Sequence, residues 1–117
     1  MIPRVMLVAV AIAGVSAPAM AHAFLDRADP AAGENLQVAP TRIELHFTEP
    51  LEPAFSAVTV TDESGRDVSA GPTVVGGSEM DLPLKLLAPG RYRVTWHAVS
   101  VDTHRTEGKY NFLVLPP

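Results

Sequence analysis

Any metal chemistry in this chain must use imidazole, amine and carboxylate groups, because its 117 residues include four histidines and no cysteine. Disulfides and thiolate ligands are both excluded. The remaining donors suit divalent copper, nickel or zinc better than monovalent copper. Two places in the sequence could gather them. His22 directly follows Ala19-Met20-Ala21, so cleavage after Ala21 would make it the amino terminus. One residue would then offer its free α-amine and its ring Nδ1, which close a six-membered chelate on a metal ion. Far along the chain, Asp102 and His104 are two positions apart in Val99-Ser100-Val101-Asp102-Thr103-His104. In an extended connection, residues i and i+2 project to the same side, so a carboxylate oxygen and an imidazole can converge on one point.

The first 21 residues have the features of an export signal. Arg4 gives a short positive region, Val5 to Val15 is almost wholly small or apolar, and Ser16-Ala17-Pro18 precedes the A-x-A cleavage pattern. The apolar run is shorter than the roughly 18 to 20 residues that span a bilayer. The expectation is a cleaved signal over 1–21, a mature domain over 22–117, periplasmic localisation and no membrane anchor after processing. Losing Arg4 takes the net charge from −4 to −5. That balance argues against a nucleic-acid partner, which calls for a basic patch.

The elements that must position these donors read as strands. Thr41 to Phe47 alternates, with Ile43, Leu45 and Phe47 on one face and Arg42, Glu44 and His46 on the other. Ser56 to Thr61 alternates again. Arg91 to Ala98 sets Tyr92, Val94, Trp96 and Ala98 opposite Arg93, Thr95 and His97, and Gly108 to Leu115 groups Tyr110, Phe112 and Val114. Period-2 alternation marks half-buried strands. Met80 to Leu86 is a further extended segment, which Pro83 assigns to an edge or a bend. Turn residues recur between these runs: Asp29-Pro30-Ala31-Ala32-Gly33, Glu49-Pro50 to Pro53, Glu63-Ser64-Gly65, Gly76-Gly77-Ser78 and Pro89-Gly90. The expected fold is all-β, an immunoglobulin-like Greek-key β-sandwich of about seven strands. It forms one domain held by apolar packing, with Trp96 in its core.

Together these segments resemble a known family. An N-terminal His after the cleavage site, a D-P-A-x-G turn, the E-L-H-F-T-E-P-L strand end and the closing W-H-A-V-S-V-D-T-H-R-T-E-G-K-Y-N-F are similar to the CopC-type periplasmic copper-resistance proteins. The resemblance covers essentially the whole mature chain. It implies a small β-sandwich binding one Cu(II) ion per chain, with His22 giving amine and imidazole, His104 a second imidazole and Asp102 a carboxylate oxygen. Cu(II) favours such a tetragonal nitrogen and oxygen plane. It also implies that Glu49 lies near the copper, as a weak ligand or as a hydrogen-bond acceptor for one. Its other reading is an exposed carboxylate opening the proline-rich turn. A monomer and an inner-membrane copper transporter as partner complete the expectation.

His46 and His97 share faces with charged and polar neighbours, so each reads as a solvated strand residue or one contacting a neighbouring side chain. Some members of the family take Cu(I) with a methionine cluster. Here Met1, Met6 and Met20 leave with the signal and only Met80 remains, which reads as a core filler. Three function classes stand at this point. The first is a Cu(II) carrier or buffer for copper resistance and homeostasis, with no catalysis. The second is an oxidative enzyme with a histidine brace, disfavoured because seven aromatic residues, most on inward faces, leave no broad substrate platform. The third is a structural or adhesive sandwich in which His22 is incidental.

Overall fold

Residues 24–117 are described by a computed structural model; the leader, the cleavage position and His22 lie outside the described residues. Alternating apolar positions build two four-stranded sheets. The first sheet has the order β1-β3-β6-β5, from β1 (Leu25–Asp29), β3 (Arg42–Phe47), β6 (Glu79–Pro83) and β5 (Val74–Gly76). The second has the order β2-β8-β7-β4, from β2 (Asn35–Leu36), β8 (Arg105–Val114), β7 (Gly90–Val99) and β4 (Ala57–Thr61). All pairings are antiparallel except β2 with β8. The chain changes sheet at most connections, so only β5–β6 and β7–β8 are local hairpins.

The count is eight strands among the described residues, against an expectation of about seven for such a sandwich. The two-residue β2 and three-residue β5 are too short to show alternation in a sequence. The clearest differences lie in β8 and β6. β8 begins at Arg105 rather than Gly108, because Val99↔Arg105, Ala98↔Thr106 and His97↔Glu107 continue the ladder beyond the apolar pattern. β6 is an interior strand between β3 and β5, where Pro83 had suggested an edge or bend. Pro83 is tolerated because it closes the strand. The next N–H, of Leu84, turns toward β3 and reaches Thr41 O at 2.9 Å. The proline nitrogen therefore faces the other side, beyond the Val74↔Asp81 pair where β5 has ended.

The inward faces meet as predicted. Ile43, Leu45, Val60, Met80 and Val94 are 0 % exposed, with Trp96 and Phe112 beside them in one core. Each fully buried aliphatic side chain contributes about 1.5–3 kcal/mol of transfer free energy. Met80 is thus a core filler. Tyr92 stacks on Phe112 and donates its hydroxyl to Ala88 O, a tether across the corner before a strand that recurs in immunoglobulin-like sandwiches. An edge-to-face run, Phe24 on Phe47 at 5.5 Å and Phe47 on Trp96 at 5.3 Å, fixes the start of the described chain to the core. Gly108 lies opposite Trp96, and a Cβ there would come within 2.7 Å of the indole. Only glycine lets this ring lie flat against β8.

Candidate metal centre

Asp102 and His104 occupy the turn that joins β7 to β8. This turn is not the extended connection expected. Ser100 N donates to His104 O at 2.8 Å and Thr103 N to Ser100 O at 2.8 Å, and Thr103 takes a positive φ of 73°. That left-handed step is unfavourable for a β-branched residue. It folds the chain back so that the two donors still converge. Ser100 organises the turn from within: it is 0 % exposed, its hydroxyl accepts from His104 N at 3.0 Å and donates to Asp102 Oδ1. The sequence reading gave Ser100 no role. Its signal was its place two residues before Asp102, in the run Ser100 to Phe112 that carries the family resemblance.

Glu49 arrives from the other side, in the loop after β3. Every neighbour in that loop is tied to a different part of the sandwich. Thr48 N donates to Phe24 O at 2.8 Å, Leu51 N to Gly77 O at 2.9 Å, and Glu52 N to Val99 O at 2.8 Å. Val101 N, within the Asp102 turn, donates to Pro50 O at 3.0 Å, and Leu51 bridges Ser100. Glu49 is therefore held between the segment that begins at Phe24 and the β7–β8 turn.

The three side chains form one group. His104 Nδ1 lies 3.5 Å from Asp102 Oδ1 and 3.8 Å from Glu49 Oε1, and one donor atom from each residue falls within 4.8 Å of the others. Glu49 Oε1 is buried with no hydrogen-bond partner. A carboxylate oxygen withdrawn from water without a donor is costly, and a cation at this point would satisfy it. His104 and Asp102 are 72 % and 58 % exposed, free to close on an ion whose N and O donors stand at about 2.0–2.2 Å. Asp102 is held below the ordinary carboxylate range, first by the Ser100 hydroxyl and then, against some desolvation, by His104. It thus keeps the ionised form that ligates.

The remaining histidines separate. His97 is exposed on the outer face of β7. His46 is only 24 % exposed and contacts its neighbours, with Nε2 3.3 Å from Glu44 Oε1 and Nδ1 3.7 Å from Glu79 Oε1. Glu44 is lowered below its usual range, chiefly by the His46 hydrogen bond and, against desolvation, by Arg42. Glu79 is raised, by desolvation and then by the carboxylate of Asp81 beside it.

Comparison with known proteins places these features in context. The family model described as the CopC domain matches residues 25–115. Protein YobA of Escherichia coli (strain K12) is 38 % identical over 98 residues, covering 80 % of this chain and 79 % of that protein. Copper resistance protein C of Pseudomonas syringae pv. tomato is 37 % identical over 109 residues, covering 86 % of each. The crystal structure of CopC from Methylosinus trichosporium OB3b superposes with a TM-score of 0.73 at 33 % identity, covering 80 % of this chain and 93 % of that one.

Proposed function

The chain belongs to the CopC domain family, and from that premise we propose that it is an exported, periplasmic Cu(II)-binding protein that sequesters or carries copper without catalysing a reaction. Residues 1–21 are a cleaved leader and 22–117 the working domain. His22 supplies two nitrogens, His104 a third and Asp102 an oxygen, with Glu49 beside them. The observation that supports this reading best is the Glu49, Asp102 and His104 group with its unpartnered Glu49 oxygen. Chain reach supports the fourth member. Phe24 is bonded to Thr48, the neighbour of Glu49, and a residue two positions earlier lies within about 7 Å of the Phe24 Cα even when the chain is fully extended. The copper-resistance name of the Pseudomonas relative fits the same role.

With one methionine after the leader, and that one fully buried, a methionine-cluster Cu(I) site is disfavoured, and the nitrogen and oxygen donors support Cu(II) as the ion carried. The deciding experiment is a Cu(II) titration of the protein beginning at His22, beside the same protein with one residue added before it. The added residue should weaken binding by orders of magnitude, because the α-amine is lost from the chelate. Equal affinities would overturn the His22 assignment.

A further inference from the structure

The outer face of the first sheet holds a second set of donors, and its register explains why they meet. On β3, Glu44 and His46 point outward two residues apart. On β6, Asp81 and Glu79 lie directly opposite them, as Glu44↔Asp81 and His46↔Glu79. Opposed residues in an antiparallel pair have Cβ atoms about 4.5–5.5 Å apart, so three carboxylates surround one imidazole. One donor atom each from Glu44, His46 and Glu79 lies within 4.8 Å of the others. All three side chains are at most 35 % exposed, better shielded than His104 and Asp102. A separate observation bears on charge: Asp81 Oδ1 is buried without a hydrogen-bond partner, beside the same group.

The cations nearby do not balance it. Arg42 pairs with Glu44 from the same strand. From β1, Arg27 stands opposite His46, while Asp29 stands opposite Glu44 and adds a further acid. We propose that Glu44, His46 and Glu79 hold a second divalent metal ion of the zinc class on this face, separate from the site at the β7–β8 turn. One imidazole nitrogen with two carboxylate oxygens is a donor set zinc accepts, with water completing the tetrahedron. Arg42 holds Glu44 Oε2 and leaves Oε1, the oxygen that faces His46, for the ion. Asp81 would orient the bound water or a ligand carboxylate from behind, as outer carboxylates do in metal sites. Exposed His97, on the opposite sheet, serves as the control.

The test is calorimetric titration with Zn(II) of the protein starting at His22, preloaded with one equivalent of Cu(II). One further equivalent of zinc should bind. His46→Ala should abolish it. Glu79→Gln, which keeps the side-chain volume, should weaken it by at least about tenfold. His97→Ala should leave it unchanged. The copper-free His22→Ala/Asp102→Ala/His104→Ala triple variant, which also lacks the terminal chelate, should still bind one zinc. This arm separates failure here from failure of the copper site. The proposal falls if wild type binds no second ion, if zinc binding survives both His46→Ala and Glu79→Gln, or if it disappears in the triple variant.

Discussion

A hydroxyl that touches no metal governs the β7–β8 site. Ser100 is the point where Asp102 and the His104 backbone are both fixed, so removing one oxygen should disturb two donors together. Ser100→Ala should lower Cu(II) affinity about 10- to 100-fold, as loss of a ligand-orienting group does, and cost about 1 kcal/mol in stability through the unsatisfied His104 N–H. Titration and urea denaturation measure the two effects. The same substitution has a predictable sign in pH. Because folding depresses the Asp102 pKa, chiefly through Ser100, its contribution to stability is present above the unfolded value. It is lost as pH falls through the folded value. That contribution is small for so exposed a side chain. Its larger effect is on ligation, since a depressed pKa keeps the carboxylate ionised further into acid. In Ser100→Ala, Asp102 should titrate at higher pH by NMR, and copper should be released at higher pH than from wild type. An unmoved Asp102 titration would mean that the serine orients nothing.

At the scale of elements, the β7–β8 hairpin and the glycine beneath the indole carry the geometry. Thr103 holds a left-handed conformation that costs an L residue about 1–2 kcal/mol. Thr103→Gly should therefore raise the stability of the metal-free protein by up to about 1 kcal/mol after the added flexibility of the unfolded chain. Urea denaturation checks the sign. Gly108→Ala should do the reverse. A Cβ at 2.7 Å from Trp96 forces the ring or the strand to move, an overpacking that costs about 1–3 kcal/mol and should change the Trp96 emission. These two positions also mark what the sequence could convey. Alternation in Thr41 to Phe47 and Arg91 to Ala98 exposed β3, β7 and the core, because burial imposes a period of two. Asp102 and His104 do converge, but through a turn and not through the extended backbone that the two-residue spacing had suggested, so the pair was reached by a rule that does not hold at this place. The approach of Glu49 to them was carried by family likeness, since a contact across more than fifty residues leaves no local periodicity. The seat of His46 between Glu44 and Glu79 was hidden too. Their register belongs to β3 against β6, and Pro83 had argued for a strand at the edge.

For the whole molecule, the decisive property is that the donors of the proposed copper site are dispersed along the chain. Glu49 and the Asp102–His104 turn are brought together only when both sheets close on the core, and Phe24, two residues after the proposed ligand His22, is tied there to Thr48, the neighbour of Glu49. If the proposed site is correct, the unfolded chain keeps the single His22 chelate but loses the rest, so the ion should bind the native state with more ligands and stabilise it. At free copper a thousandfold above the dissociation constant this linkage approaches about 4 kcal/mol. For a domain of this size that ceiling corresponds to a melting temperature raised by up to about 15–30 °C. Acid must remove the effect, because the α-amine and both imidazoles have to be unprotonated to bind. The amine, with an ordinary pKa of about 7.7–8.0, already competes with the ion at neutral pH. Melting can be followed through Trp96, the sole tryptophan, whose ring packs on Phe47 and so on Phe24. The expected outcome is a large copper-dependent rise at pH 7.5 that shrinks steadily towards pH 5. A protein carrying one residue before His22 should show a far smaller rise at every pH. Equal rises in the two proteins would place the stabilising copper on donors other than the processed terminus.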